Sequence, residues 1–128
     1  MLFWIGSFGS SFGQFSQFPF TSGPIPLCDT STFTANVGGI GILVPMGDWG
    51  SSLYAVTINV TSDHPQTLQI FLTSPQGTTL SLSEFNGAGG QNYTNTTFTY
   101  DTWPPSITTG TAPFTGNWTA QGGALSIF

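Results

Sequence analysis

Few side chains in this chain could perform chemistry, and their spacing limits each of them. Gly9-Ser10-Ser11-Phe12-Gly13 satisfies the Gly-x-Ser-x-Gly pattern of an activated serine, but it sits in a stretch of Gly, Ser and Phe. That pattern needs a sharp strand-to-helix turn, which these residues do not predict, so Ser11 is not read as a nucleophile. His64 is the only imidazole and Asp63 is its neighbour. Adjacent residues of an extended chain point to opposite sides, which suits a turn histidine with a structural hydrogen bond better than a proton relay. The five acids, Asp29, Asp48, Asp63, Glu84 and Asp101, are scattered, and no spacing singles out a carboxylate pair for glycoside hydrolysis. Cys28 is the only cysteine, so it closes no intrachain disulfide, and with a single histidine it leaves a transition metal too few ligands. It reads as a small buried hydrophobe, with an intermolecular disulfide as the alternative. No catalytic residue is therefore expected.

The charge balance excludes more. The 128 residues contain no Lys or Arg and have a formal net charge of −5, where an average domain of this length carries about 15 cations. Without a cation there is no phosphate clamp, no counterion release and no guanidinium to read a guanine edge. Nucleic acids and phosphorylated ligands fall away as partners, and so does Schiff-base chemistry. Low charge does not imply disorder here, because 38% apolar and 15% aromatic residues supply a core. The longest apolar run, Ile40-Gly41-Ile42-Leu43-Val44-Pro45-Met46, is far shorter than the ~20 residues of a bilayer-spanning helix, so no membrane insertion is expected. Residues 1–5 lack a basic flank and are stopped by Gly6, unlike a secretory leader. A surface of Ser, Thr, Asn and Gln also lacks the charge repulsion that keeps proteins apart, which favours association.

Two segments must position these residues. Residues 1–23 form an aromatic arm carrying Phe3, Trp4, Ile5, Phe8, Phe12, Phe15, Phe18 and Phe20 among Gly, Ser and Gln. Phe8, Phe12 and Phe15 would share a helical face whereas Phe18 and Phe20 alternate like a strand, so no period dominates. Such a segment should seek a groove on its own domain or on a neighbour. Residues 24–128 read as β throughout. Over 53–60, Tyr54, Val56, Ile58 and Val60 alternate with Leu53, Ala55, Thr57 and Asn59, which predicts a strand with one face in the core. Leu68, Ile70 and Leu72 repeat the pattern, Ser74-Pro75-Gln76-Gly77 is a type I turn sequence, and Thr78, Leu80 and Leu82 return, so 67–82 is a β-hairpin. A loop at 87–90, a short strand at 96–100 and a rigid break at Trp103-Pro104-Pro105 follow. The expected fold class is all-β, a jelly-roll-like β-sandwich with an N-terminal arm.

Three runs in order carry a family resemblance: Leu72-Thr73-Ser74-Pro75-Gln76-Gly77-Thr78-Thr79-Leu80, then Asn86-Gly87-Ala88-Gly89-Gly90-Gln91-Asn92-Tyr93-Thr94-Asn95-Thr96-Thr97-Phe98, then Ile107-Thr108-Thr109-Gly110-Thr111-Ala112-Pro113-Phe114-Thr115-Gly116. With the upstream Val56, Ile58, Val60 and His64, they resemble the P domain of proprotein convertases, and more closely the P-domain-like modules of secreted bacterial proteins. The resemblance spans 24–128 and implies a secreted, extracellular or cell-surface sandwich that is not itself catalytic. It also implies a calcium site, for which Glu84, Asn86, Asn92 and Asp101 are the candidate ligands. Ca²⁺ takes six to eight oxygens with several carboxylates, and this set supplies two, so no cofactor is expected to be required. The family's acid pair after the histidine is replaced here by Pro65-Gln66, and its late Arg-Pro-Glu phrase by Thr119-Ala120-Gln121. The resemblance further implies two strands beyond Leu125-Ser126-Ile127-Phe128, which this sequence does not contain.

A sandwich lacking those strands would present an apolar groove, and the arm is the available filler. The expectation is thus a structural subunit that assembles with itself, as an extracellular filament, tube or surface layer, by arm or strand exchange. The alternative is an accessory P-domain-like module cut from a larger secreted hydrolase, stabilising it or binding carbohydrate through Trp49, Trp103 or Trp118. Of the Asn-x-Ser/Thr sequons at Asn59, Asn92, Asn95 and Asn117, Asn92 and Asn95 lie in an expected loop and are the candidate glycan acceptors.

Overall fold

The structure, a computed structural model, describes residues 2–9, 12–19, 21, 24, 30–35 and 53–128. Cys28, Asp29, the 40–46 apolar run, Asp48, Trp49 and Phe20 lie outside the described residues. The described chain is all-β, with helical geometry confined to the 3-10 turns Pro65–Thr67, Ile107–Thr109 and Leu125–Ile127.

Strands β1 (Leu2–Gly9), β2 (Phe12–Pro19), β3 (Leu53–Val60), β6 (Tyr93–Thr99) and β7 (Gly116–Trp118) form one sheet in the order β2-β1-β3-β6-β7. Strands β4 (Gln69–Thr73) and β5 (Thr79–Glu84) form a second, two-stranded sheet, and the two layers close over one core as a β-sandwich. Val56 and Ile58 of β3, Leu72 of β4, Leu80 and Leu82 of β5, and Tyr93 and Phe98 of β6 meet there with Ile107, Phe114 and Leu125. The β4–β5 hairpin is closed by Gly77 N–H donating to Ser74 O at 2.9 Å. Gly77 has φ +90°, a conformation an L-residue adopts only under strain. Outside β5, Gln121 N–H and Gly122 N–H donate to Leu82 O and Ser81 O at 3.1 and 2.9 Å, so this edge is covered by the chain's own C-terminal loop.

Bulges alter the alternation of the strands. Trp4 pairs with Ala55 but Ile5 with Leu53, which leaves Tyr54 as the extra residue of β3. Tyr54 is therefore separated from the face it would share with Val56 and Ile58 and is 48% exposed, while Leu53 turns into the core. In the hairpin, Ile70 pairs with Ser83 and Phe71 with Ser81, so Leu82 is extra and Leu82 and Ser83 are both fully buried.

The backbone of the aromatic arm is a β-hairpin. Its first strand pairs antiparallel with β3 of the same chain, from Leu2 opposite Thr57 to Ile5 opposite Leu53. This is the own-domain form of the contact expected for the arm.

Candidate functional site

A buried polar side chain, Ser83, lies where the two layers meet. The bulge in β5 carries Ser83 inward, and β6 opens with Tyr93, whose hydroxyl lies 3.0 Å from Ser83 Oγ. Asn86 Nδ2 donates to Ser83 Oγ at 2.9 Å and to Gln121 Oε1 at 2.7 Å, and Gln121 Oε1 also accepts from Glu84 N–H at 2.9 Å. A chain of hydrogen bonds thus links β6, β5 and the C-terminal loop. Burial pushes the Tyr93 phenol above its ordinary pKa, and the Ser83 hydrogen bond offsets part of that rise. Tyr93 stacks on Phe114 with centroids 4.8 Å apart, and Trp118 meets Phe114 edge-on at 6.2 Å. Sequence reasoning passed over this network, because strict alternation from Leu80 and Leu82 puts Ser83 outside.

Asp63 and His64 go to separate structural contacts, as their adjacency in an extended chain leads one to expect. Asp63 Oδ1 accepts from Gln91 Nε2 at 3.1 Å and so ties the end of β3 to the approach to β6. His64 caps the 3-10 turn through its backbone: its carbonyl accepts from Thr67 N–H and Thr67 Oγ1 at 3.0 and 2.8 Å. Its side chain is exposed.

The candidate calcium ligands are also kept apart. Asn92 precedes β6 and Asp101 follows it; at about 3.3 Å per residue the two stand roughly 25 Å apart. Asn92 Oδ1 already accepts Ser62 N–H at 2.9 Å, and the Asn86 amide is turned toward Ser83 and Gln121. Glu84 Oε2 accepts from Gln69 Nε2 at 3.3 Å. Among the described residues no group of three or more His, Cys, Asp or Glu could hold a metal ion. The donor set implied by the resemblance does not fit a calcium ion.

Of the expected sugar-stacking tryptophans, Trp118 is committed to packing: its Nε1–H donates to Phe114 O at 2.7 Å and its ring is half-buried. Trp103, between β6 and β7, is 91% exposed. Asn95 is exposed in the left-handed region at φ 47°, with its N–H donated to Asn59 Oδ1 at 2.7 Å, while Asn92 is half-buried.

Two layers of short strands with a hydrogen-bonded polar seam between them define a β-sandwich module. The family model of the proprotein convertase P-domain matches residues 52–121, more than half of the chain, and the chain belongs to that family. The match begins just before β3 and ends in the loop that covers β5, so it takes in β3 to β7 of the sandwich and leaves out β1 and β2. The P-domain is an accessory domain of proteases and not itself their catalytic part. No curated protein and no solved structure matched the chain. Among the described residues, no helix is long and apolar enough to cross a membrane.

Proposed function

We propose that this chain is an accessory P-domain module of a larger hydrolase that works outside the cell, stabilising the catalytic part rather than performing chemistry itself. The observation that supports it is the coincidence of the family match with the sandwich from β3 to the loop at Gln121. Of the residues most able to act, Asp63, Ser83 and Tyr93 have side chains engaged in structural hydrogen bonds, while His64 serves its turn through its backbone. The test is isolation of native material followed by intact-mass measurement and thermal inactivation of any hydrolase joined to it or bound by it. The expected result is a hydrolase that inactivates faster once the module is removed. A free 13.5 kDa polypeptide with no hydrolase attached would refute the reading.

A second reading is favoured by the arm. Strand β2 is an outer edge of the five-stranded sheet, and the arm contains no charged residue to guard it. The ladder between β1 and β3 is also one that a neighbouring copy's arm could supply, joining copies into an extracellular filament or surface layer. Deleting residues 1–22 should then abolish filaments seen by electron microscopy, and undiminished assembly would sink this reading. In a glycosylating host, Asn95 and Asn92 are the proposed glycan acceptors, checked by the mass lost on glycosidase treatment.

A further inference from the structure

Trp103 is the most exposed of the described large apolar side chains, and its ring N–H has no hydrogen-bond partner among the described residues. Indoles are normally packed or hydrogen-bonded, so a bare one on an ordered segment calls for a partner. The backbone around it is pinned on both sides. Tyr100 N–H donates to Tyr54 O at 2.8 Å and Thr99 Oγ1 to Asp101 O at 3.2 Å. Beyond it, Thr119 Oγ1 donates to Pro104 O at 2.8 Å and Thr119 N–H to Pro105 O at 2.9 Å. Two consecutive prolines fix φ there, so the ring is offered without a large ordering cost.

The chemistry of the occupant follows from charge. Asp101, two residues earlier and at most about 7–8 Å away between Cα atoms, is exposed, and its carboxylate has no partner among the described residues. The chain has no Lys or Arg to compete for either group and carries a net charge of −5. An exposed indole two residues from an exposed carboxylate offers a guanidinium or ammonium group both a ring face and a counter-charge. A neutral sugar would need several convergent polar groups around the ring. Here the Ser106 and Thr108 hydroxyls bond each other at 3.0 Å and the Thr119 hydroxyl is spent on Pro104.

We propose that Trp103 and Asp101 form a docking point for a cationic side chain, arginine above all, on the surface of a partner protein. The inference rests on the accessory-module reading and states the chemistry of the surface such a module would engage.

The test uses the full 128-residue chain and follows the indole N–H resonances of its four tryptophans while acetyl-Arg-Gly-Arg-amide is titrated in. The expected result is a shift of the Trp103 resonance that shrinks as salt is raised, weakens about 2–5-fold in Asp101→Asn and vanishes in Trp103→Ala. Trp103→Ala should leave the unfolding midpoint unchanged, because the ring is in water. No shift, or a shift indifferent to salt and to Asp101→Asn, overturns the proposal. So does a shift of Trp103 caused by cellotetraose and not by the peptide, which makes the ring a sugar platform. If the peptide fails while removal of the module still destabilises a hydrolase, the docking inference falls and the accessory reading stands. If the peptide binds and the native chain has no hydrolase, the reverse holds.

Discussion

Removing the hydroxyl pair at the seam one partner at a time should cost more than removing both. Tyr93 and Ser83 are 1% and 0% exposed and their hydroxyls are 3.0 Å apart. Tyr93→Phe keeps the ring against Phe114 and leaves Ser83 with Asn86 as partner, so it should cost about 1 kcal/mol. Ser83→Ala is worse, because it strands the phenol in a dry site and takes one acceptor from Asn86; about 2–3 kcal/mol is expected. In the double variant no hydroxyl is left unpaired, and Asn86 retains Gln121 at 2.7 Å. Its cost should be about 2 kcal/mol, so the coupling between the two sites is about 1–2 kcal/mol. Urea unfolding followed by circular dichroism and tryptophan fluorescence measures all three variants. At roughly 3–5 °C per kcal/mol for a domain of this size, thermal midpoints provide an independent check. Costs that add to within about 0.5 kcal/mol would refute the reasoning, since partners that share a desolvated bond cannot behave independently.

The same phenol sets a pH dependence: the folded chain holds the Tyr93 proton above the ordinary value near 10, so stability should be level below that pH and fall as pH rises past it. Tyr93→Phe should flatten this decline in urea midpoints measured on either side of pH 10. Gly110→Ala would bring a methyl within 2.7 Å of Trp118 Cη2 and 3.0 Å of Phe114 Cδ1, where the indole is held by its bond to Phe114 O. A loss of about 1–3 kcal/mol is expected, partly recovered in a Trp118→Leu background, as measured by urea unfolding. Calcium at about 100 times a site's dissociation constant would add about 2.7 kcal/mol of stability. Because Asn92 and Asp101 lie at opposite ends of β6, the thermal midpoint should instead be the same in calcium and in EDTA.

Local pattern carried much of this fold. The alternation of Val56, Ile58 and Val60 and the Ser74-Pro75-Gln76-Gly77 turn are short-range signals, and β3 and the β4–β5 hairpin appear where they point. Tyr54 and Ser83 depart from strict alternation for one reason: each lies at a bulge, and one inserted residue exchanges the faces of its neighbours without any mark in composition. The seam was illegible because it joins Ser83, Asn86, Tyr93 and Gln121 across segments that only the completed sandwich brings together. Trp103 and Trp118 could not be told apart in sequence. What separates them is the Phe114 carbonyl, which reaches one indole and not the other.

The pairing of β3 sets the order in which its two edges are covered during synthesis. Ile58 pairs with Thr96, so the β6 side of β3 stays bare until nearly forty more residues have been made, about 2–8 s at the pace of a ribosome. Strand β7 comes later still, because a parallel neighbour requires the crossover of residues 100–115. A sequence without Lys or Arg has no basic gatekeepers for that interval. The hairpin of β1 and β2 is synthesised before β3, so the other edge of β3 has its partner available long before the β6 edge does.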